Sequence, residues 1–215
     1  MAVVFDLDGT LADSEHLSGA AWDRVLAGYD VVRTGEDDRA VTGLSFAATR
    51  DHFAQRTGTL PSAAQLWPQY SDHLLASLRK GVQPFPDAVA LLLSLTKRRI
   101  PVALASSSPR SRVTATLQGM GLSALEPRSV AGDEVPLAKP APDGFLAAAR
   151  LLGVPAYECI AVEDSTPGVI AARAAGMAVV AVRRAPWADL SDATEVVDAL
   201  TPTTLDPYLR NPGQA

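Results

Sequence analysis

Three apolar segments without polar alternation stand out along the chain, and each one ends in polar residues. The segments are residues 2–5, 100–105 and 159–162, and the polar residues that follow them are Asp6 and Asp8, Ser106–Ser108, and Glu163-Asp164. Continuous apolar runs of this length are typical of strands covered on both faces of a parallel sheet. Because ligands bind beyond the carboxyl ends of such strands, we expect these polar side chains to meet at one edge of a sheet.

Helical patterns separate the apolar segments in the second part of the chain. From residue 82 onward, helices are predicted to begin at or near Asp87, Arg110, Gly144 and Pro167. Shorter strands are predicted at residues 129–131 and 178–182. Regular alternation of strands and helices indicates a parallel α/β sheet. We therefore predict an α/β fold: a Rossmann-like parallel sheet core with helices on both faces. The proline-containing tail from Thr201 is predicted to be irregular.

Residues 14–80 have a different pattern. Their apolar positions recur with helical spacing, turn signals such as Thr34-Gly35 and Thr42-Gly43 separate them, and no convincing strand is found. This pattern predicts a small, all-helical insertion after the first strand. The expected organisation is therefore a core of residues 1–13 and 82–215, with residues 14–81 as a helical domain.

Composition narrows the possible function classes. The 215 residues carry a net charge of −5 and no long basic run, so we expect no nucleic-acid partner. No apolar window approaches the roughly 20 residues of a membrane span, and we expect no membrane partner. The one cysteine, Cys159, lies in an apolar segment and cannot form an internal disulfide. A cytoplasmic monomer is the resulting expectation.

The polar residues at the strand ends suggest phosphoryl chemistry. Asp6 and Asp8 are close enough in sequence to repel each other, so a cation or a shared proton is expected between them. Four carboxylates at one edge suit Mg²⁺, which also accepts phosphate oxygens. Ser106 at a helix start and Lys139 in a nearby loop would attract an anion. Taken singly, each residue also has an ordinary explanation as a turn, a helix cap or a surface charge.

Taken together, these residues resemble the four motifs of the haloacid dehalogenase-like hydrolase superfamily. The matching segments are Asp6-Leu7-Asp8-Gly9-Thr10-Leu11, Ser106, Lys139-Pro140 and Glu163-Asp164-Ser165-Thr166-Pro167-Gly168. The resemblance spans nearly the whole chain. It is greatest to the beta-phosphoglucomutase-like phosphatases, whose helical cap is inserted after the first motif, where residues 14–81 lie here.

The resemblance implies a role for each motif residue. Asp6 would be the nucleophile and Asp8 the general acid and base. Asp6, the backbone carbonyl of Asp8 and Asp164 would hold Mg²⁺, and Glu163 would contribute directly or through water. Ser106, the Ser107 N–H and Lys139 would bind the phosphate. Gly43, Ser45 and Phe46 of the cap would contact substrate, although a helix cap followed by a core aromatic residue explains them equally well.

The function implied is a Mg²⁺-dependent phosphatase that hydrolyses a small phosphorylated metabolite, of the sugar or polyol phosphate type, through an aspartyl-phosphate. A beta-phosphoglucomutase-like phosphotransferase is the main alternative. It is less favoured because Phe46 stands where those mutases carry a phosphate-binding arginine, which leaves Arg50 or Arg56 as possible substitutes. A phospho-accepting signalling module and a catalytically silent protein are the remaining alternatives. The sequence leaves the substrate itself open.

Overall fold

The computed structural model describes residues 1–58, 60–123 and 128–209. Eight strands are present in these residues: β1 (Ala2–Phe5), β2 (Ala12–Asp13), β3 (Gln83–Pro84), β4 (Val102–Ala105), β5 (Arg128–Val130), β6 (Cys159–Glu163), β7 (Ala178–Val182) and β8 (Glu195–Val197). Six of them form one sheet in the order β5-β4-β1-β6-β7-β8. Every neighbouring pair in that sheet is parallel.

Helices connect the strands and cover the sheet. Within the described ranges the α-helices are α1 (Glu15–Ala27), α2 (Gly35–Val41), α3 (Phe46–Thr57), α4 (Ala63–Lys80), α5 (Pro86–Lys97), α6 (Arg110–Gly119), α7 (Asp143–Leu152) and α8 (Thr166–Ala174). Short 3₁₀ helices lie at Gly132–Glu134 and Ala156–Glu158. None of the helices that the structure describes combines the length and apolarity that a bilayer span requires.

The central strand shows why the apolar segments lack alternation. Val3 and Phe5 of β1 point into one hydrophobic cluster, which includes residues of α5 and the insertion. Ala2 and Val4 point into a second cluster on the opposite face, which includes residues of α7 and α8. All four side chains are fully buried because helices cover both faces. The predicted α/β fold with a Rossmann-like parallel sheet is confirmed.

The insertion leaves and re-enters the core through a two-stranded antiparallel ribbon. Ala12 of β2 pairs with Pro84 of β3, and Asp13 pairs with Gln83. Between these two strands the described residues form α1 to α4 and no strand. Trp22 lies at the centre of their packing, with its ring centroid 5.0 Å from those of both Phe46 and Tyr70. The insertion thus has an aromatic cluster of its own.

Three features of the fold differ from the sequence-based prediction. Helix α2 lies where turns were expected, because Thr34 accepts a hydrogen bond from the Asp37 N–H and Asp37 in turn caps the Thr34 N–H. The ribbon strands β2 and β3 have only two residues each and carry no periodic signal. The edge strand β8 is short and only half-buried, so its pattern resembles a loop. Of the predicted irregular tail, residues 210–215 lie outside the described ranges.

Asp37 joins three parts of the insertion through its buried carboxylate. Its oxygens lie 2.6 Å from Arg56 Nη1 and 2.8 Å from His52 Nε2. We expect Asp37→Ala to lower the free energy of unfolding by about 1–3 kcal/mol, because Arg56 and His52 are partly exposed and regain water when the carboxylate is lost. Urea denaturation measures the change. Glu36→Ala, at the exposed neighbouring position, should be nearly neutral; equal stability of the two variants would contradict the prediction.

Candidate active site

The carboxyl ends of β1, β4 and β6 meet at one edge of the sheet, as the sequence pattern predicted. Phe5 is in register with Leu104 of β4 and with Val162 of β6. The chain therefore carries Asp6 and Glu163 to the same level at the edge, with Ser106 one residue further along from β4. The Asp6 N–H donates to the carbonyl of Val162, which fixes the backbone of Asp6 against β6.

Lys139 joins two of the edge carboxylates. Its Nζ lies 2.5 Å from Asp6 Oδ1 and 2.6 Å from Glu163 Oε1, and its side chain is only 6% exposed. The ammonium also lies over the Phe145 ring, with Nζ 4.9 Å from the ring centroid. Burial alone would lower the pKa of Lys139, but the two carboxylates outweigh it and the net pKa is raised. Lys139 therefore remains charged.

Glu163 is held by hydrogen bonds on both of its oxygens. Its Oε1 accepts from Lys139, while its Oε2 accepts from the backbone N–H groups of Asp164 and Ser165 and from the Ser165 hydroxyl. Asp164 is oriented by Thr10, whose Oγ1 donates to Asp164 Oδ1 at 2.8 Å. Both acids are buried. Such complete satisfaction of a buried carboxylate rigidifies the site.

Glycine at position 168 makes room for Glu163. A Cβ on Gly168 would lie 1.7 Å from Glu163 Oε1. We expect Gly168→Ala to displace the Glu163 carboxylate, lower the free energy of unfolding by about 1–3 kcal/mol and reduce the phosphatase activity that the resemblance implies. Thermal unfolding and released phosphate are the two measurements. Gly144→Ala is the matched control, because no atom lies within 4 Å of its Cβ. Equal behaviour of the two variants would rule out this steric account.

The acids at the edge form a candidate metal site. Asp6, Glu163 and Asp164 each offer an oxygen within 4.8 Å of the others. Burial raises the pKa of Asp6 to about 7 against the pull of Lys139, and burial together with Glu163 raises the pKa of Asp164. Three carboxylates face one ammonium group, and Asp6 Oδ2 is buried with no partner among the described residues. This donor set fits a hard divalent cation.

The side chain of Asp8 points away from this cluster into a separate hydrogen-bond network. Its oxygens accept from Ser14 at 2.5 Å, Ser108 at 2.8 Å and Arg112 Nη2 at 2.9 Å, with Ser106 at 3.4 Å. Burial alone would raise the pKa of Asp8, but Arg112 and the two close hydroxyls reverse the effect and the net pKa is lowered. The carboxylate form of Asp8 is thus stabilised in this arrangement.

Sequence reasoning missed Ser14, Ser108 and Arg112. Ser108 lies two residues beyond the predicted phosphate ligand Ser106, and its backbone N–H donates to Ser106 Oγ. Arg112 lies in the first turn of α6, and only the rotation of that helix directs its guanidinium at Asp8. The sequence pattern indicates only polar residues that directly follow a strand. Arg112 lies inside a helix, so nothing in the pattern indicates that it belongs to the site.

The predicted phosphate ligands surround a small cavity. Ser106, Ser107 and Lys139 line a space of about 50 Å³ together with Asp6 and Asp8. Ser106 Oγ is already engaged with Ser108 and Asp8, whereas the buried Ser107 Oγ has no partner among the described residues. We call this space the catalytic cavity. Its lining brings the expected nucleophile, acid and phosphate ligands together.

A larger cavity of about 280 Å³ lies next to it, between the insertion and the sheet edge. Gly43, Ser45 and Phe46 all line this second space, which we call the insertion cavity. Each also has a structural role. Gly43 adopts a φ of +75° close to the Ser165 side chain, Ser45 caps α3, and Phe46 stacks on Trp22. The structural explanation holds for all three residues, and their contact with a substrate stays a prediction.

Arg50 and Arg56, the possible substitutes for the mutase arginine, are engaged inside the insertion. The Arg50 guanidinium donates to the carbonyls of Leu60 and Pro61, and Arg56 binds Asp37 and the Val32 carbonyl. Neither arginine is among the residues that line the catalytic cavity or the insertion cavity. Within the described residues, no arginine of helix α3 is therefore placed to hold a second phosphate.

Residues 1–176 match the family described as haloacid dehalogenase-like hydrolase. The chain belongs to this family. The match spans the sheet edge with all four motifs, which confirms the resemblance inferred from the sequence. A solved structure, CbbY from Rhodobacter sphaeroides in complex with phosphate, superimposes with a TM-score of 0.83 at 25% identity and covers 94% of this chain and 96% of its own.

Two phosphatases are among the relatives of this hydrolase. Hexitol phosphatase A of Escherichia coli is 35% identical over 184 residues, covering 83% of this chain and 81% of the relative. Fructose-1-phosphate phosphatase YqaB of Escherichia coli is 35% identical over 186 residues, covering 84% and 95%. Protein SUPPRESSOR OF QUENCHING 1 of Arabidopsis thaliana is 38% identical over 188 residues, but the chain spans only 18% of its length. The expected class, phosphoric monoester hydrolase, agrees with the two phosphatases.

Proposed function

We propose that this hydrolase is a Mg²⁺-dependent phosphatase of a small phosphorylated metabolite, of the sugar or polyol phosphate type. The observation that carries the proposal is the position of Asp6 beside the catalytic cavity: one of its oxygens is bound to Lys139, and the other has no partner among the described residues. A carboxylate in this position suits attack on a phosphoryl group that Lys139 and Ser107 would hold. The names of the phosphatase relatives support the substrate type.

In the proposed reaction, an oxygen of Asp6 forms a bond to phosphorus and the bond from phosphorus to the leaving oxygen breaks. The leaving oxygen takes a proton from Asp8 and departs as an alcohol. A water molecule then attacks the phosphorus of the aspartyl-phosphate and gives a proton to Asp8, which releases inorganic phosphate and restores Asp6. Lys139 and the N–H of Ser107 offset the charge on the phosphoryl oxygens throughout.

The surroundings of Asp8 suit the base step as they stand. Arg112, Ser14 and Ser108 stabilise its carboxylate, which is the form that takes a proton from water. In the acid step Asp8 has to carry a proton, and this requires the carboxyl group to turn from Arg112 toward the leaving oxygen. We propose that substrate binding together with closure of residues 14–81 as a cap over the cavities drives this change.

The cluster of acids would hold the metal ion. Asp6, Asp164 and the backbone carbonyl of Asp8 would be ligands of Mg²⁺, and the full set of hydrogen bonds on Glu163 favours a contribution through water. The bound ion would supply positive charge to the transferring phosphoryl group. The chain itself positions the carboxylates through Thr10, Lys139 and the backbone of the loop after β6.

The proposal is tested with purified protein, Mg²⁺ and a panel containing a hexitol phosphate, fructose 1-phosphate, phosphoglycolate and p-nitrophenyl phosphate. We expect phosphate release that stops on chelation with EDTA and returns with added Mg²⁺. Absence of phosphate release from every ester would overturn the proposal. Transfer of phosphate between carbon positions without net release would favour the phosphotransferase instead.

A further inference from the structure

The insertion cavity has an unusual lining. All three tryptophans of the chain, Trp22, Trp67 and Trp187, line it. Trp22 and Trp67 come from the insertion, whereas Trp187 comes from the core and is 49% exposed. Aromatic faces on two sides of a cavity suit the C–H faces of a carbon skeleton. The cavity is therefore apolar on two walls although it adjoins a highly charged catalytic cavity.

The charged groups of the insertion cavity leave no free cation within the described residues. Arg33 binds Asp23 and Asp38, and Arg112 binds Asp8. The remaining basic side chain that lines the space, His16, lies 3.5 Å from Asp13. Before Asp8 turns from Arg112, a second anionic group on a substrate would therefore find every positive charge that lines this cavity already balanced by a carboxylate.

Among the acidic residues that line the two cavities, Glu15 differs from the others because it has no partner within the described residues. It lines both cavities, its side chain is exposed, and no hydrogen bond or ion pair with another described residue engages it. It occupies the first turn of α1, directly after the Ser14 that binds Asp8. A free carboxylate at the junction of the two cavities can accept hydrogen bonds from hydroxyl groups and repels a second anion.

We infer that Glu15 is a specificity-determining residue that accepts hydroxyl groups of an uncharged, polyhydroxylated leaving group and excludes substrates with a second anionic group. Arg112, which also lines both cavities, would donate from its guanidinium to the same hydroxyl oxygens. Hydroxyl groups both donate and accept, so they match a carboxylate and a guanidinium placed side by side. The inference rests on the proposed phosphatase function, which it deepens.

The kinetic test compares fructose 1-phosphate with fructose 1,6-bisphosphate, and uses p-nitrophenyl phosphate as a probe without hydroxyl groups. For the wild type we expect kcat/KM to be about tenfold or more higher on the monophosphate. Glu15→Gln should lower kcat/KM on the monophosphate and raise it on the bisphosphate, with p-nitrophenyl phosphate unchanged. Glu36→Gln is the matched control, because it makes the same chemical change at an exposed acid in the first turn of α2 that lines neither cavity.

A binding test gives a second readout that does not need turnover. Because all three tryptophans line the insertion cavity, intrinsic fluorescence reports its occupancy. In an Asp6→Asn background, fructose 1-phosphate should change the fluorescence, and the added Glu15→Gln change should weaken that binding about tenfold while strengthening that of the bisphosphate. If the wild type hydrolyses none of the esters, these changes in binding would still support the inference, although the proposed function would fail.

Two outcomes would overturn the inference and leave the proposed function standing. One is phosphate release with equal or better kcat/KM on the bisphosphate in the wild type. If the wild type prefers the bisphosphate, an Arg112→Met variant should be measured next. Loss of the preference for the bisphosphate in this variant would show that Arg112 binds the second phosphate. The other is a Glu15→Gln variant whose monophosphate-to-bisphosphate ratio equals those of the wild type and Glu36→Gln in both kinetics and binding.

Discussion

Asp6→Asn is expected to abolish phosphatase activity, with kcat reduced by about 10⁴-fold or more. The amide has nearly the same shape as the carboxylate but cannot form the bond to phosphorus. The loss should not come from unfolding. Because burial raises the pKa of Asp6 to about 7, the folded protein disfavours its charge, and removal of that charge should keep or increase stability above neutral pH in the absence of metal.

Two measurements separate these effects. Released phosphate measures turnover, and thermal unfolding at pH 8 with EDTA measures stability. Asp198→Asn is the control, because it makes the same chemical change at a side chain that is 96% exposed; its activity should equal that of the wild type. Phosphate release by Asp6→Asn at more than a few per cent of the wild-type rate would rule out Asp6 as the nucleophile.

Much of the catalytic edge could be predicted because it is local to the strands. Asp6, Ser106 and Glu163 each follow or end a buried strand, and parallel register brings such positions together. Lys139 lies in a loop, and its contacts with Asp6 and Glu163 depend on how that loop returns to the edge. The resemblance to a family identified Lys139, whereas strand periodicity alone did not.

Contacts made by side chains of helices were beyond such reasoning. Arg112 reaches Asp8 from a helix, and Glu15 faces both cavities because α1 follows the ribbon at a particular angle. Neither the rotation of α6 nor the placement of α1 follows from hydrophobic periodicity, which fixes only the buried side of a helix. The short strands β2 and β3 that set this placement were also not predicted.

Lys139→Met is expected to destabilise the metal-free protein strongly at alkaline pH and to abolish phosphate binding. The variant would leave Asp6, Glu163 and Asp164 buried together without their ammonium partner. Removing one partner of a buried ion pair costs about 3–5 kcal/mol. Met has an unbranched side chain like that of Lys, so the loss would report charge more than side-chain volume.

The pH dependence of that loss follows from the raised pKa values of Asp6 and Asp164. A carboxyl group whose pKa is higher in the folded than in the unfolded protein destabilises the fold increasingly as pH rises from its unfolded value through its folded value. Without Lys139, which lowers the pKa of Asp6, that pKa rises further. The stability deficit of Lys139→Met should therefore be small near pH 4, where the acids are protonated, and largest at pH 8.

Urea denaturation at pH 4, 6 and 8, with EDTA and then with Mg²⁺, measures this dependence. Added Mg²⁺ should recover part of the deficit at pH 8, because a divalent cation offsets the same carboxylates. Lys139→Arg retains the charge and should lose less stability than Lys139→Met, and Lys97→Met, at an exposed lysine of α5, should match the wild type. A stability deficit of Lys139→Met that is equal at all three pH values would contradict the prediction. It would show that Lys139 stabilises the protein by packing, and that the acids at the edge are uncharged in the variant.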